Sequence, residues 1–380
     1  MIGPAGAGLE REIHASDRWV RAVAAKGLSG SSLDFPEEPL DPSVWDELVE
    51  TVRLHRLTGL LAAVVHDGDL PTTPEQRDQA LTEHARAMHR CLELEADLLS
   101  IADLLEDRGI RHRVLKGPAF AHLDYPDPAL RSFIDVDLLV RGEQYDAAVD
   151  ALTSAGYERT FQELRPGFDR RFGKGASFHH IDLHRSFAMG PYGLTLDLDD
   201  VWRSADRFEI AGRSLETLDP DQRFLHACYH AAIGKSDVRL GPLRDLVGML
   251  QRPGNGVHID RALALSARWQ STAVIARAVN LAWDAFALTE TPLSRWARDF
   301  SPSNRDRQAL RTYLDRDMGE AARSYVAIRA IPGARAKAAF AWALAFPSRS
   351  YGAGRHRDHQ RRWRAAVRQV IALRRRGQPS

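Results

Sequence analysis

Apolar and polar positions follow a helical period at both ends of this chain and a shorter, strand-like one in between. In SVWDELVETVRLHRLTGLLAAVV, residues 43 to 65, apolar side chains recur every three or four positions, which predicts a helix with Asp41 or Ser43 as its cap. The turn-rich GDLPTTPEQ interrupts the pattern. A long helix from about Pro74 to Arg108 then follows, with Gly109 in the C-cap position. Beyond Gly109 the elements shorten. RHRVLKG reads as extended, PAFAHLDY as a short helix with Pro118 in its first turn, YPDPALR as a loop and FIDVDLLV as a buried strand. GEQYDAAVDALTSAG is an amphipathic helix ended by Gly156, and YERTF and SFHHIDLHRSF read as further strands. From Asp219 the helical period returns in DPDQRFLHACYHAAIG, GPLRDLVGMLQR, IDRALALSARWQSTAVIARAVNLAWDAF and the segment after Ser303.

This order predicts an α+β protein, a small mixed β-sheet core between N-terminal helices and a C-terminal helical domain. The expected divisions are a helical region over 1–108, the sheet core over 109–218, a helical domain over 219–350 and a basic tail over 351–380. No internal repeat or low-complexity linker breaks the 380 residues, which exceed one typical domain.

Composition narrows the classes. Hydrophobic residues make up 44% and charged residues 27%, ordinary values for a globular chain, and the net charge of +1 supplies no global field for nucleic acid or membrane. The two cysteines, Cys91 and Cys228, do not suggest a disulfide framework and point to a reducing cytoplasm. The first residues lack the apolar core of a signal peptide, and AAFAWALAFP at 338 to 347 is too short to span a bilayer, so a cytoplasmic protein with no transmembrane segment is expected. The tail WRAAVRQVIALRRR sets Val367, Val370, Ile371 and Leu373 among arginines. Such a stripe packs on its own domain or binds an acidic partner, anionic lipid or RNA; the first is favoured and nucleic acid is not.

The candidate chemistry lies in FIDVDLLV. Residues two apart on a strand point to the same side at roughly 6.6 Å, so Asp135 and Asp137 share one face while Ile134, Val136 and Leu138 are expected to face the opposite way into packing. Two such carboxylates need a counter-charge, and a pair of Mg²⁺ ions, with Mn²⁺ as the alternative, suits the spacing. An exposed edge strand with two incidental aspartates is the plain alternative. In HHIDLHRSF, His180, Asp182 and His184 share a face, and Asp182 becomes the third carboxylate if the two strands are neighbours. His180 and His184 as ligands of a transition metal remain a competing reading, and His184 as a hydrogen-bonding support behind the ligands another.

Upstream, VLKGPAF ends a strand in Lys116 and Gly117 directly before a helix, a plausible anion site. Arg131 is expected to fork onto a phosphate, against an alternative ion pair with Asp124, Asp127 or Asp135. His226 and His230 lie four apart on one helical face with Lys235 beyond, as interface residues or as part of a cleft. Asp245 reads as a helix cap or an ion-pair partner between domains.

Taken together, VLKGPAFAHLDYPDPALRSFIDVDLLV followed by IDLH at 181 to 184 resembles the uncharacterised bacterial nucleotidyltransferase family of the polymerase-β-like superfamily. The match is close over about residues 111 to 187 and weaker in 226 to 247 and in FPSRSYG at 346 to 352. The resemblance implies a nucleotidyltransferase fold, with Asp135, Asp137 and Asp182 as catalytic metal ligands and Lys116, Gly117 and Arg131 on the nucleotide. From these parts the expected chemistry is NTP-dependent, two-metal transfer of an NMP to a hydroxyl on a small molecule, peptide or protein, with release of pyrophosphate; the substrates of the family do not carry over. The rivals are a catalytically silent nucleotide-binding module and a toxin-type enzyme that modifies tRNA. Where the superfamily carries a Gly-Ser pair, this chain has Lys-Gly and no serine, which leaves open how the terminal phosphates are held.

Overall fold

The computed structural model describes residues 15–159, 170–173, 180–188, 190–234, 238–254 and 256–315, together with a few isolated positions up to 338. The basic tail, FPSRSYG and Lys235 lie outside the described residues.

Helices α1 (Ala15–Ala24), α2 (Pro42–His55), α3 (Thr58–His66) and α4 (Pro74–Glu106) come first. Thr73 opens α4 with a capping box, its hydroxyl accepting from the Gln76 N–H while the Gln76 side chain accepts from the Thr73 N–H. The periodic run over 43–65 is two helices. Arg56 takes φ 62° and ψ 44°, and backbone bonds from Arg56 to Arg53 and from Leu57 to Val52 close α2. Apolar periodicity carries no sign of this left-handed stop, because the residue that makes it is not glycine.

The central region runs β1 (His112–Val114), α5 (Pro118–Asp124), β2 (Asp135–Val140), α6 (Tyr145–Ser154), β3 (Glu158–Arg159), β4 (Arg170–Gly173), β5 (His180–His184), α7 (Pro191–Thr195), α8 (Leu198–Arg203), β6 (Ala205–Ile210) and β7 (Arg213–Leu218). The strands form one mixed sheet of order β3-β4-β5-β2-β1-β7-β6. β2 is central, antiparallel to β1 and parallel to β5, and all six of its residues are buried. That placement removes the edge-strand alternative for the two aspartates, whereas Ile134, expected in packing with Val136 and Leu138, precedes the strand and is exposed. The hairpin β6–β7 went unread in the sequence, although RFEIAGRSLETL alternates and Ala211-Gly212, both at positive φ, make its two-residue turn.

The remaining helices are α9 (Pro220–Ile233), α10 (Leu240–Gln251), α11 (Ile259–Arg268), α12 (Thr272–Phe286), α13 (Pro292–Asp299) and α14 (Asn304–Leu314). Asp219 caps α9 through the Gln222 N–H. The run from Ile259 to Phe286 is split at Gln270, which also stands at positive φ. Among the described residues no helix is long and apolar enough to cross a membrane.

The buried apolar residues fall into two clusters separated by the sheet. On one face Val136, Leu138, Ile181 and Leu183 pack with Leu94, Leu98 and Ile101 of α4 and with Val149 and Leu152 of α6. The opposite face contributes Leu115 and Leu139 to a larger cluster that joins α1–α3 to α9, α10 and α12. Because side chains alternate along β2, the aspartates share the face of Leu139. The sheet therefore turns its carboxylates toward the helices that come last in the chain.

Candidate active site

The parallel pairing of β2 and β5 sets Asp135 beside His180, Asp137 beside Asp182 and Leu139 beside His184. One residue of slip would turn Asp182 to the other face, so Ile181 and Leu183, both fully buried, fix the register that keeps it there. Ligand atoms of Asp137, Asp182 and His184 lie within 4.8 Å of one another. Asp135 stands slightly apart, close to two cations, Arg56 at 3.6 Å and Lys116 at 3.9 Å.

Asp137 is 1% exposed, and burying an unpaired carboxylate there would be prohibitive. It is instead the focus of two contacts. Lys116 Nζ lies 2.8 Å from Oδ2, and His184 Nε2 donates to Oδ1 at 2.8 Å. Burial alone would raise the Asp137 pKa, but the Lys116 charge and the His184 bond outweigh it and hold the group far below the ordinary carboxylate range. Lys116 responds in the opposite sense: burial pulls its pKa down, and the Asp135 and Asp137 charges more than restore it. At neutral pH the pair is ionised.

The structure thus turns Lys116 onto the aspartates. Gly117 adopts φ 61° as α5 begins, and a Cβ there would meet the Asp135 carbonyl at 3.2 Å, so glycine is needed for the loop to pass over β2. Arg131, expected on a phosphate, is engaged elsewhere. Its Nε and one Nη fork onto both Asp245 oxygens at 2.8 Å, and the other Nη donates to the Gly117 carbonyl at 3.1 Å. Tyr125 Oη donates to Asp245 as well. The ion-pair alternative is what the geometry shows, with Asp245 on α10 as partner in place of Asp124, Asp127 or Asp135. Asp124 pairs with Arg223 of α9 instead.

His226 and His230 of α9 face this site, and the Nδ1 of each is buried without a hydrogen-bond partner among the described residues. His226 packs between Phe187 and Phe120, at ring distances of 4.9 and 6.2 Å. Burial, reinforced by the Lys116 charge, lowers its pKa to about 3, and His230 is likewise driven well below its ordinary value. Both are neutral imidazoles.

Arg56 is the residue that sequence patterns missed. It reaches Asp135 from the α2–α3 junction because α3 lies directly on the turn before β2. A Cβ on Gly59 would fall 2.3 Å from the Ala129 carbonyl, and Ser132 Oγ donates to the Arg56 carbonyl. Arg239, at the start of α10, lines the same cleft. Nothing local marks either arginine, since only tertiary packing brings residues 56, 135 and 239 together.

The residues present suit a divalent cation. The carboxylates of Asp137 and Asp182 stand together, with Asp135 on the same face, and their oxygens are the hard donors such an ion prefers.

One strand of the mixed sheet thus carries a carboxylate pair, and the next strand sets a third carboxylate beside it. The chain belongs to the uncharacterised nucleotidyltransferase family, whose model matches residues 41–287. No curated protein matches the sequence. Solved structures with partial likeness include a lincomycin-bound lincosamide antibiotic adenylyltransferase, 14% identical over 41% of this chain and 96% of that one, with a TM-score of 0.31. ANT(2″)-Ia in complex with adenylyl-2″-tobramycin is 13% identical over 47% and 98%, with a TM-score of 0.33. An antigenic nucleotidyltransferase-like protein from Paracoccidioides brasiliensis is 17% identical over 47% and 93%, with a TM-score of 0.31.

Proposed function

We propose that the protein transfers a nucleoside monophosphate from an NTP to a hydroxyl of a small-molecule, peptide or protein acceptor, in a reaction dependent on Mg²⁺ or Mn²⁺. The observation that carries this reading is the register of β2 against β5, which stands Asp182 beside the buried Asp137.

Asp135, Asp137 and Asp182 would hold the cation, which when bound neutralises the phosphates and acidifies the acceptor hydroxyl. His184 fixes the Asp137 carboxylate through Nε2–H and so orients a ligand without itself needing to bind. Asp182, partly exposed at the middle of β5, would take the acceptor proton. The freed oxygen forms a bond to the α-phosphorus, the bond from that phosphorus to the bridging oxygen breaks, and pyrophosphate leaves with the electron pair. Catalysis in such a site rests on positioning and charge.

Asp182→Asn is the cleaner test, because its position is only half-buried. Transfer of radiolabel from NTPs into a cell extract, read together with pyrophosphate release, should fall below about one hundredth of wild type, with an unchanged melting temperature in the absence of metal. Added Mg²⁺ should raise the melting temperature of the wild type by ligand linkage, and this rise should vanish in the variant. Undiminished transfer by Asp182→Asn would refute the assignment. Asp137→Asn should also abolish transfer but lose stability, since it leaves Lys116 short of its closest counter-charge.

A further inference from the structure

The cleft beside the carboxylates holds more positive charge than its scaffold uses. It lies between the α2–α3 junction and the start of α10, and His55, Arg56, Tyr125, Arg131, His230 and Arg239 line it. Asp245, an acid in its wall, is already engaged by the Arg131 fork. Arg56 is different. Its side chain is only 20% exposed, its one ion-pair contact is Asp135 at 3.6 Å, and it makes no side-chain hydrogen bond among the described residues. A guanidinium carries five N–H donors, and those of Arg56 are open to an acceptor that enters the cleft. The backbone adds strain, because Arg56 occupies the left-handed region at φ 62°, which glycine would adopt at no steric penalty. Arg239 also has no ion pair among the described residues. Arg56 and Arg239 therefore line one cleft in which the only acid of the wall among the described residues, Asp245, is held by Arg131.

Position identifies the anion. The cleft adjoins the carboxylates through Arg56, which contacts Asp135, whereas Asp182 lies beside Asp137 on the neighbouring strand. In-line displacement puts the attacking and leaving oxygens on opposite sides of the phosphorus. With acceptor activation at Asp182, the leaving group departs toward Asp135 and Arg56. The Lys116-Gly117 loop supplies no hydroxyl for it, and its lysine is turned onto Asp137.

We propose that this cleft is the polyphosphate subsite, in which Arg56 and Arg239 clasp the β- and γ-phosphates of the donor nucleotide. The assignment rests on the function proposed above, and it moves the grip on the terminal phosphates from the loop beside β2 to the ends of two flanking helices.

The test is calorimetric titration of the full chain in Mg²⁺ with inorganic pyrophosphate and, separately, with glycerol 3-phosphate as a phosphate monoester. Wild type is compared with Arg56→Gln and Arg239→Gln, and melting temperatures are recorded for all three. The expected result is pyrophosphate binding that weakens by about tenfold or more in each variant, with Arg239→Gln melting as wild type. Pyrophosphate affinity unchanged in both variants overturns the proposal. So does a loss confined to Arg56→Gln and accompanied by a lower melting temperature. Monoester binding that depends on both arginines while pyrophosphate binding does not would assign the cleft to a phosphorylated acceptor, and overturns it too. If the wild type transfers no nucleotide yet both variants lose pyrophosphate, the enzymatic reading fails and the subsite stands. Transfer that persists while pyrophosphate ignores both arginines removes the subsite alone.

Discussion

At the scale of single residues the site is an exercise in charge placed where packing alone would favour valine. Asp137 and Arg131 are both buried, and each is made tolerable by partners at 2.8 Å. The Arg131–Asp245 fork also bonds the Gly117 carbonyl, so α10 holds the loop that carries Lys116. Removing one member of a buried pair strands the other. Asp245→Asn should therefore lower unfolding stability by about 3 kcal/mol or more, read as a reduced denaturant midpoint. The double replacement Arg131→Met with Asp245→Leu should recover part of that loss, which a merely additive pair would not do.

Among elements, the two strands that carry the acids were readable and their surroundings were not. D-x-D within an apolar run and the alternation of His180, Asp182 and His184 specify faces directly, because a strand has period two. The ends of α2 and α11 were not readable, since Arg56 and Gln270 hold backbone conformations that their side chains do not announce. The junction of α3 with the turn before β2 makes a firm prediction. Gly59→Ala puts a methyl 2.3 Å from the Ala129 carbonyl and should destabilise the fold, although alanine is the better helix former; thermal unfolding would show it. Helix α9 predicts a pH dependence. The pKa of His226 in the fold, about 3, lies below its ordinary 6.5, so the imidazole favours the folded state fully above pH 6.5. That stability drains as pH falls from 6.5 toward 3, by up to about 1.4 kcal/mol per pH unit for each such histidine. His230 shifts the same way. His226→Leu should flatten the acid side of a stability–pH curve measured by urea denaturation, and an unchanged slope would show that the ring is not buried neutral.

For the molecule as a whole, the order of helix, sheet and helix was legible, but which helices share an interior was not. Apolar faces on α1–α3 look alike whether they cover the sheet or meet α9 and α12, and only the assembled structure distinguishes them. Trp45, Leu48, Leu60 and Leu61 belong to the cluster that holds Phe224, Leu243 and Phe286, while α4 joins the sheet's other face. A chain begun at Pro74 should consequently lose cooperative unfolding of the C-terminal helices, observed as a broad, low-temperature calorimetric transition, although residues 112–184 keep Asp135, Asp137 and Asp182.

This interleaving also bears on how the protein is made. A ribosome releases α1–α3 first, yet the partners that cover them arrive only with residues 220–286. About two hundred residues of synthesis, at roughly 5–20 residues per second, separate the two halves of the larger interior. For those tens of seconds the leading helices present an uncovered apolar surface, and slow, long-range closure of this kind makes the nascent chain a natural client for chaperones.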